Sequence, residues 1–122
     1  MKFSRDQLSP LTIREAEPGL VRIGTDEFRH DVALTADGNV IDFSLPAMDS
    51  LTEKRLGELL QAEPEMLIIG TGWKSMLPPR ELVFAMARRG VGIEVMDTPA
   101  ACRTFNILVG EGRRPAAIIK IS

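Results

Sequence analysis

This chain of 122 residues has one cysteine, one histidine, one tryptophan and no tyrosine. A lone Cys102 excludes an internal disulfide and any zinc cluster built from cysteines, and it fits a reducing compartment. One histidine beside one cysteine argues against a protein-only metal site, so the metal expectation is none and the cofactor expectation is none. No excess of basic residues is present: 17 acidic and 15 basic side chains leave a net charge of -2, unlike the basic footprint of a nucleic-acid binder. The opening Met1-Lys2-Phe3-Ser4-Arg5-Asp6 lacks the apolar stretch of a secretory signal. Nor does any uninterrupted apolar run approach the roughly 18 residues of a membrane span. The expectation is a cytoplasmic protein without a membrane span; a mature organellar protein shares these features.

What is present suits one soluble domain over residues 1–122, since 44% hydrophobic and 26% charged residues support a core and argue against disorder. Leu11 to Ala16 alternates apolar and polar residues as a half-buried strand does, Pro18-Gly19 interrupts it, and Leu20 to Ile23 resumes. Phe28 to Ala36 and Val40 to Phe43 read as an antiparallel hairpin closed near Asp37-Gly38. Ser50 and Glu53 match a capping box, and Leu51, Leu56, Leu59 and Leu60 give a helical stripe ending near Ala62.

Two strand-to-helix junctions carry the functional signal. Met66 to Ile69 runs into Gly70-Thr71-Gly72, and Val91 to Met96 runs into Asp97-Thr98-Pro99. Pro78-Pro79 opens a helix that ends at Gly90 and, being rich in apolar residues, is expected to be deeply packed. A second helix starts at Asp97 or Thr98 with a stripe of Ala101, Phe105 and Leu108, and Pro115 to Ile121 closes the chain as a strand that is central or covered by another subunit. The C-terminal half is therefore βαβαβ with parallel pairing, and the N-terminal strands extend its sheet or form a second layer. If the Met66–Ile69 and Val91–Met96 strands are parallel neighbours, both junctions open at one sheet edge, where open α/β sheets hold ligands.

The combination Ile69-Gly70-Thr71-Gly72, followed by Met96-Asp97-Thr98-Pro99-Ala100-Ala101-Cys102-Arg103-Thr104-Phe105-Asn106, resembles the Mth-type domain of unknown function. That family includes mitochondrial complex I assembly factor three and an adipogenesis-associated relative. The resemblance runs from about Phe28 to Ile121; Phe105 stands where many members carry tyrosine, and Arg113 matches a common basic position. It implies a mixed α/β fold in three layers, two of β and one of α, with no settled enzymatic activity and assembly or regulatory roles among eukaryotic members.

Gly70, Thr71 and Gly72 satisfy neither nucleotide motif: Ser75 replaces the third glycine of the dinucleotide fingerprint, and Trp73 replaces the glycine before Lys74 in a phosphate loop. They either cradle an anion with backbone N–H groups or form a tight turn. Thr98 either greets an anion at a helix start or satisfies backbone donors, and Arg103 with Asn106 either grips that anion or serves local structure. Pro99, Cys102, Arg103 and Asn106 recur at three-to-four spacing on one helical stripe. Cys102 is a reactive thiol or a small buried side chain, and His30 a half-exposed strand residue. Trp73, exposed, would anchor a partner together with Arg103; buried, it would cap the core. The leading expectation is a non-enzymatic binding or assembly module without catalytic residues. The alternative is an enzyme or sensor for a phosphate or carboxylate ligand bound by Gly70, Thr71, Gly72, Thr98, Arg103 and Asn106, and the remaining partner class is a second copy of the chain.

Overall fold

A computed structural model describes residues 12–122, so Leu11 and the opening residues read above lie outside it. Eight strands and three α-helices follow in the order β1 (Ile13–Glu17), β2 (Leu20–Ile23), β3 (Asp26–Phe28), β4 (Val32–Thr35), β5 (Val40–Asp42), α1 (Gly57–Leu60), β6 (Met66–Gly70), α2 (Arg80–Arg88), β7 (Gly92–Met96), α3 (Thr98–Gly110) and β8 (Pro115–Ile119). The main sheet has the order β5-β4-β8-β6-β7, and a small antiparallel sheet has the order β1-β2-β3. Strand β6 pairs in parallel with β7 on one side and β8 on the other, while β4 runs antiparallel to both β5 and β8. The last strand is thus central, as its unbroken burial requires.

Period-two alternation divides the main sheet between two cores. Ala33, Leu67, Ile69, Ala116 and Ile118 face Leu51, Leu56, Leu59, Leu82 and Met86 from the segment before β6 and from α2. Their neighbours Val32, Leu34, Ile68, Ala117 and Ile119 face Ala101 and Phe105 of α3 together with Ile13, Val21 and Ile23 of the small sheet. Three layers result, with α3 sharing the outer β layer. The chain steps outward from β6 to β7 through α2 and back past β6 to β8 through α3. Crossovers of one hand taken in opposite directions place their helices on opposite faces.

Three local expectations are corrected. The run from Phe28 to Ala36 is two strands, since β3 ends at Phe28 in the small sheet and β4 begins at Val32 in the large one. The change of sheet happens where Asp31 turns its carboxylate inward. The β4–β5 hairpin around Asp37-Gly38 forms as expected, with Leu34 opposite Val40. The Ser50–Glu53 capping box does not form: Ser50 Oγ donates to Ala47 O, Glu53 pairs with Arg89, and Leu51 is extended. Helical structure, broken at Leu51 after a 3-10 turn at Met48–Ser50, resumes in a second 3-10 turn at Lys54–Leu56 whose Arg55 N–H reaches Thr52 Oγ1. Arg55 explains the exchange, since its guanidinium bonds Ser50 and the Ser44 carbonyl and stacks 4.5 Å from the Phe43 ring centre. Finally, α2 buries only one face, through Leu82, Ala85 and Met86, and leaves Phe84 55% exposed.

Asp31 is 6% exposed and closes the main sheet at the start of β4. Its Oδ1 accepts from the N–H groups of Ile121 (2.8 Å) and Ser122 (3.0 Å), and its Oδ2 accepts from Leu45 N–H (2.9 Å) and Ser122 Oγ (3.0 Å). Lys120, also buried, donates to Leu45 O (2.7 Å) and Ser122 Oγ (3.0 Å), so acid and base share two partners. Burial alone would raise the Asp31 carboxyl, but the Leu45, Ile121 and Ser122 bonds together hold it below its ordinary value of 3.8. A depressed folded-state pKa means the network's contribution is complete above that ordinary value and is lost as pH falls through the lower one. Asp31→Asn, which turns an amide against backbone donors, is expected to destabilise the protein by about 2–4 kcal/mol at neutral pH. Urea unfolding as a function of pH checks this: the variant should also lose part of the wild type's fall in stability below pH about 4.

Candidate functional site

Both junctions open at one end of the main sheet, because Ile69 and Val95 are parallel partners in adjacent strands. The turn after β6 and the start of α3 touch directly. Thr98 N–H donates to Gly72 O (2.9 Å), and Gly72 N–H donates to Thr98 Oγ1 (2.8 Å). The same hydroxyl donates to the Lys120 carbonyl beyond β8 (2.5 Å). Thr71 N–H donates to Met96 O (2.9 Å), while its hydroxyl donates to Lys74 O (2.7 Å) and closes the loop around Trp73. Two glycines permit this contact. A Cβ on Gly70 would lie 2.9 Å from Ala101 Cβ and 3.0 Å from Thr98 Oγ1, and Gly72 holds a φ of +82° that side chains disfavour.

Asp97 is the cap of α3, accepting from Ala100 N–H (2.8 Å), with Thr98 the first helical residue and Pro99 the second. Ala101 N–H bonds Asp97 O. Every N–H in the first turn of α3 therefore has an acceptor inside the chain, Pro99 having none to offer. Of the residues singled out from sequence, Gly70, Thr71, Gly72 and Thr98 meet in one buried clasp. Asn106 is engaged elsewhere: its Nδ2 donates to Ile13 O (2.8 Å) and its Oδ1 accepts Ile13 N–H (3.0 Å), so the amide pairs with β1 as another strand would. Arg103 projects from the exposed face of α3.

Cys102 leaves the polar stripe that its spacing suggested, packing with Ala101 and Phe105 beneath the small sheet. Burial pushes its thiol up to about 12, offset only in part by the Arg103 charge. His30 lies in the bend after β3, with Nδ1 3.1 Å from Asp31 O and Nε2 3.5 Å from Asp42 Oδ1. Among the described residues, no group of three His, Cys, Asp or Glu side chains is placed to hold a metal ion.

Above the clasp is a cleft of about 180 Å³ lined by Trp73, Lys74, Ser75 and Met76 on one side and Val95, Met96 and Asp97 on the other. Trp73 is 43% exposed at its rim. Met76, Val95 and Met96 were not singled out by sequence reasoning, since apolar side chains in and near strands give the same pattern whether they fill a core or line a cleft. Lys120, just past the end of β8, was not singled out either.

The family described as protein of unknown function DUF498/DUF598 matches residues 13–120, nearly the whole chain. The chain belongs to that family. A Francisella tularensis relative named 13 kDa major membrane protein is 31% identical over 113 residues, covering 91% of each chain. Among the described residues of the present chain, no helix is long and apolar enough to cross a membrane. The rat NADH dehydrogenase [ubiquinone] 1 alpha subcomplex assembly factor 3 is 34% identical over 82 residues, covering 66% of this chain and 44% of the relative, so the chain spans less than half of that protein's length. A solved Bordetella pertussis protein described as a Mth938-like domain superposes with a TM-score of 0.74 at 28% identity, covering 98% of this chain and 92% of that one. The three-layer mixed α/β architecture is thus the fold of a family whose members include named assembly factors.

Two outcomes test the geometry of the clasp and its neighbour. Thr98→Val keeps the branched shape but strands the Gly72 N–H and the Lys120 carbonyl, and is expected to cost about 1–3 kcal/mol in chemical denaturation. Cys102 should react with a thiol reagent at pH 8 roughly a thousandfold more slowly in the folded protein than in urea; comparable rates would contradict its burial.

Proposed function

We propose that this chain is a non-enzymatic protein-binding module of the assembly or regulatory kind, working in the cytoplasm. Its reading surface is the Gly70–Trp73 loop with the start of α3 from Asp97 to Asn106. The observation that carries this reading is a half-exposed Trp73 held at the rim of that cleft, beside a clasp whose polar groups are satisfied within the chain. Chemistry needs groups with unused capacity, whereas recognition needs a rigid anchor with an apolar surface. Cys102 is protonated and buried, so it does not support a nucleophile–base pair. The names of the assembly-factor relatives support the same class of role.

The anionic-ligand reading retains one supporting observation, the exposed Arg103 one turn into α3. The amides of that first turn and the Asn106 side chain are not at its disposal, which makes it the weaker reading.

The test is a tagged protein offered to extract of its source cells, compared with Trp73→Ala combined with Arg103→Glu. Loss of a central aromatic anchor costs about 2 kcal/mol or more, so the retained partner should fall roughly thirtyfold while circular dichroism and melting temperature stay unchanged. Equal retention by both proteins would remove this surface from consideration. A thermal-shift panel of phosphates and carboxylates tests the weaker reading: a rise of several degrees favours a ligand site.

A further inference from the structure

The strand edges of this protein are not equally protected. Among the described residues, β5 and β3 present only three residues each. Strand β1 carries a register shift between Ile13 and Glu15, and the Asn106 amide caps its Ile13 with two hydrogen bonds. Short strands, bulges and covering side chains are the usual ways of blunting an edge. Among the described residues, strand β7 has none of them: it runs five residues in unbroken register with β6, contains no proline, and has β6 as its only strand neighbour there.

The ladder shows which groups it presents. Met96 O accepts from Thr71 N–H, so Met96 turns its backbone toward β6. Alternation then directs the N–H and C=O of Val95 and Ile93 to the open side. At the C-terminal end of this edge lies the cleft between Trp73, Met76, Val95 and Met96, and midway along it stands the exposed Glu94.

We infer that β7 accepts an extended segment of a partner protein as a sixth strand of the main sheet. The segment carries a lysine or arginine across from Glu94 and an apolar side chain that enters the Trp73 cleft. Backbone pairing supplies affinity in such additions and alternate side chains supply specificity. Charge selects the occupant: a second copy paired symmetrically about Glu94 would set two carboxylates directly opposite each other, whereas a basic residue there is favourable. This inference rests on the reading of the chain as a protein-binding module and names the chemistry of its partner.

The probe is a short end-blocked peptide of alternating valine and threonine, with a central lysine and a leucine at the next position on the same face. Hydrogen exchange followed by NMR reads the Ile93 and Val95 amides. At saturating peptide both should slow by about tenfold or more. Glu94→Lys should weaken that peptide about tenfold and prefer a matched peptide with glutamate in place of lysine. Four results would overturn the inference: amides unmoved at saturating peptide, amides already slow without it, slowing that follows protein concentration alone, or charge reversal without effect. A second copy at the edge is the third of these. If the combined Trp73 and Arg103 variant loses its cellular partner while Glu94→Lys keeps it, β7 is not the docking edge and the binding-module reading stands. If neither variant affects capture, that reading itself falls.

Discussion

The Thr98 hydroxyl joins three strand ends at once. It accepts from Gly72 after β6, donates to Lys120 after β8, and belongs to the first residue of the helix that leaves β7. A hydroxyl can do this because it is both donor and acceptor, and a fully buried one must. The contact also fixes Gly70, whose missing side chain is the space that Thr98 and Ala101 occupy. Close approach of α3 to the sheet therefore depends on a glycine and a threonine far apart in sequence.

A second polar group, Asp31, does the corresponding work at the start of β4. It gathers three backbone donors, of which those of Leu45 and Ile121 would otherwise be buried without partners. Lys120 belongs to both arrangements, its carbonyl taken by Thr98 and its ammonium by Leu45 and Ser122. One end of the sheet is thus held by directional bonds, which the two hydrophobic cores by themselves could not specify. A loop anchored in this way can keep a tryptophan half exposed without collapsing onto the core, and a preorganised anchor loses less entropy on binding.

These constraints separate the positions read from sequence into two kinds. Gly70, Thr71, Gly72, Thr98 and Asn106 build the scaffold, and their polar atoms are largely committed within it. Trp73 and Arg103 face outward from that scaffold. The Gly-Thr-Gly and Asp-Thr positions of this chain therefore serve its folding, and the surface beside them is where relatives of one fold can differ in what they bind.

The parallel unit from β6 to β8, a cap at Asp97 or Thr98 and the turn at Gly90 were legible in the chain itself, because each depends on local periodicity or a backbone preference within a few residues. The helix expected from Ser50 was not, since Arg55 redirected Ser50 and Glu53 found Arg89, and such rivalry appears only once distant residues meet. The division of the strand read from Phe28 was also hidden, because its cause is an inward carboxylate satisfied from the other end of the chain. Sequence by itself determined where the two junctions lie and which strands alternate. Only the tertiary structure decided that the junctions bond to each other, that Asn106 serves β1 and that, among the described residues, β7 pairs on one side alone, because long-range pairing is encoded in no local pattern.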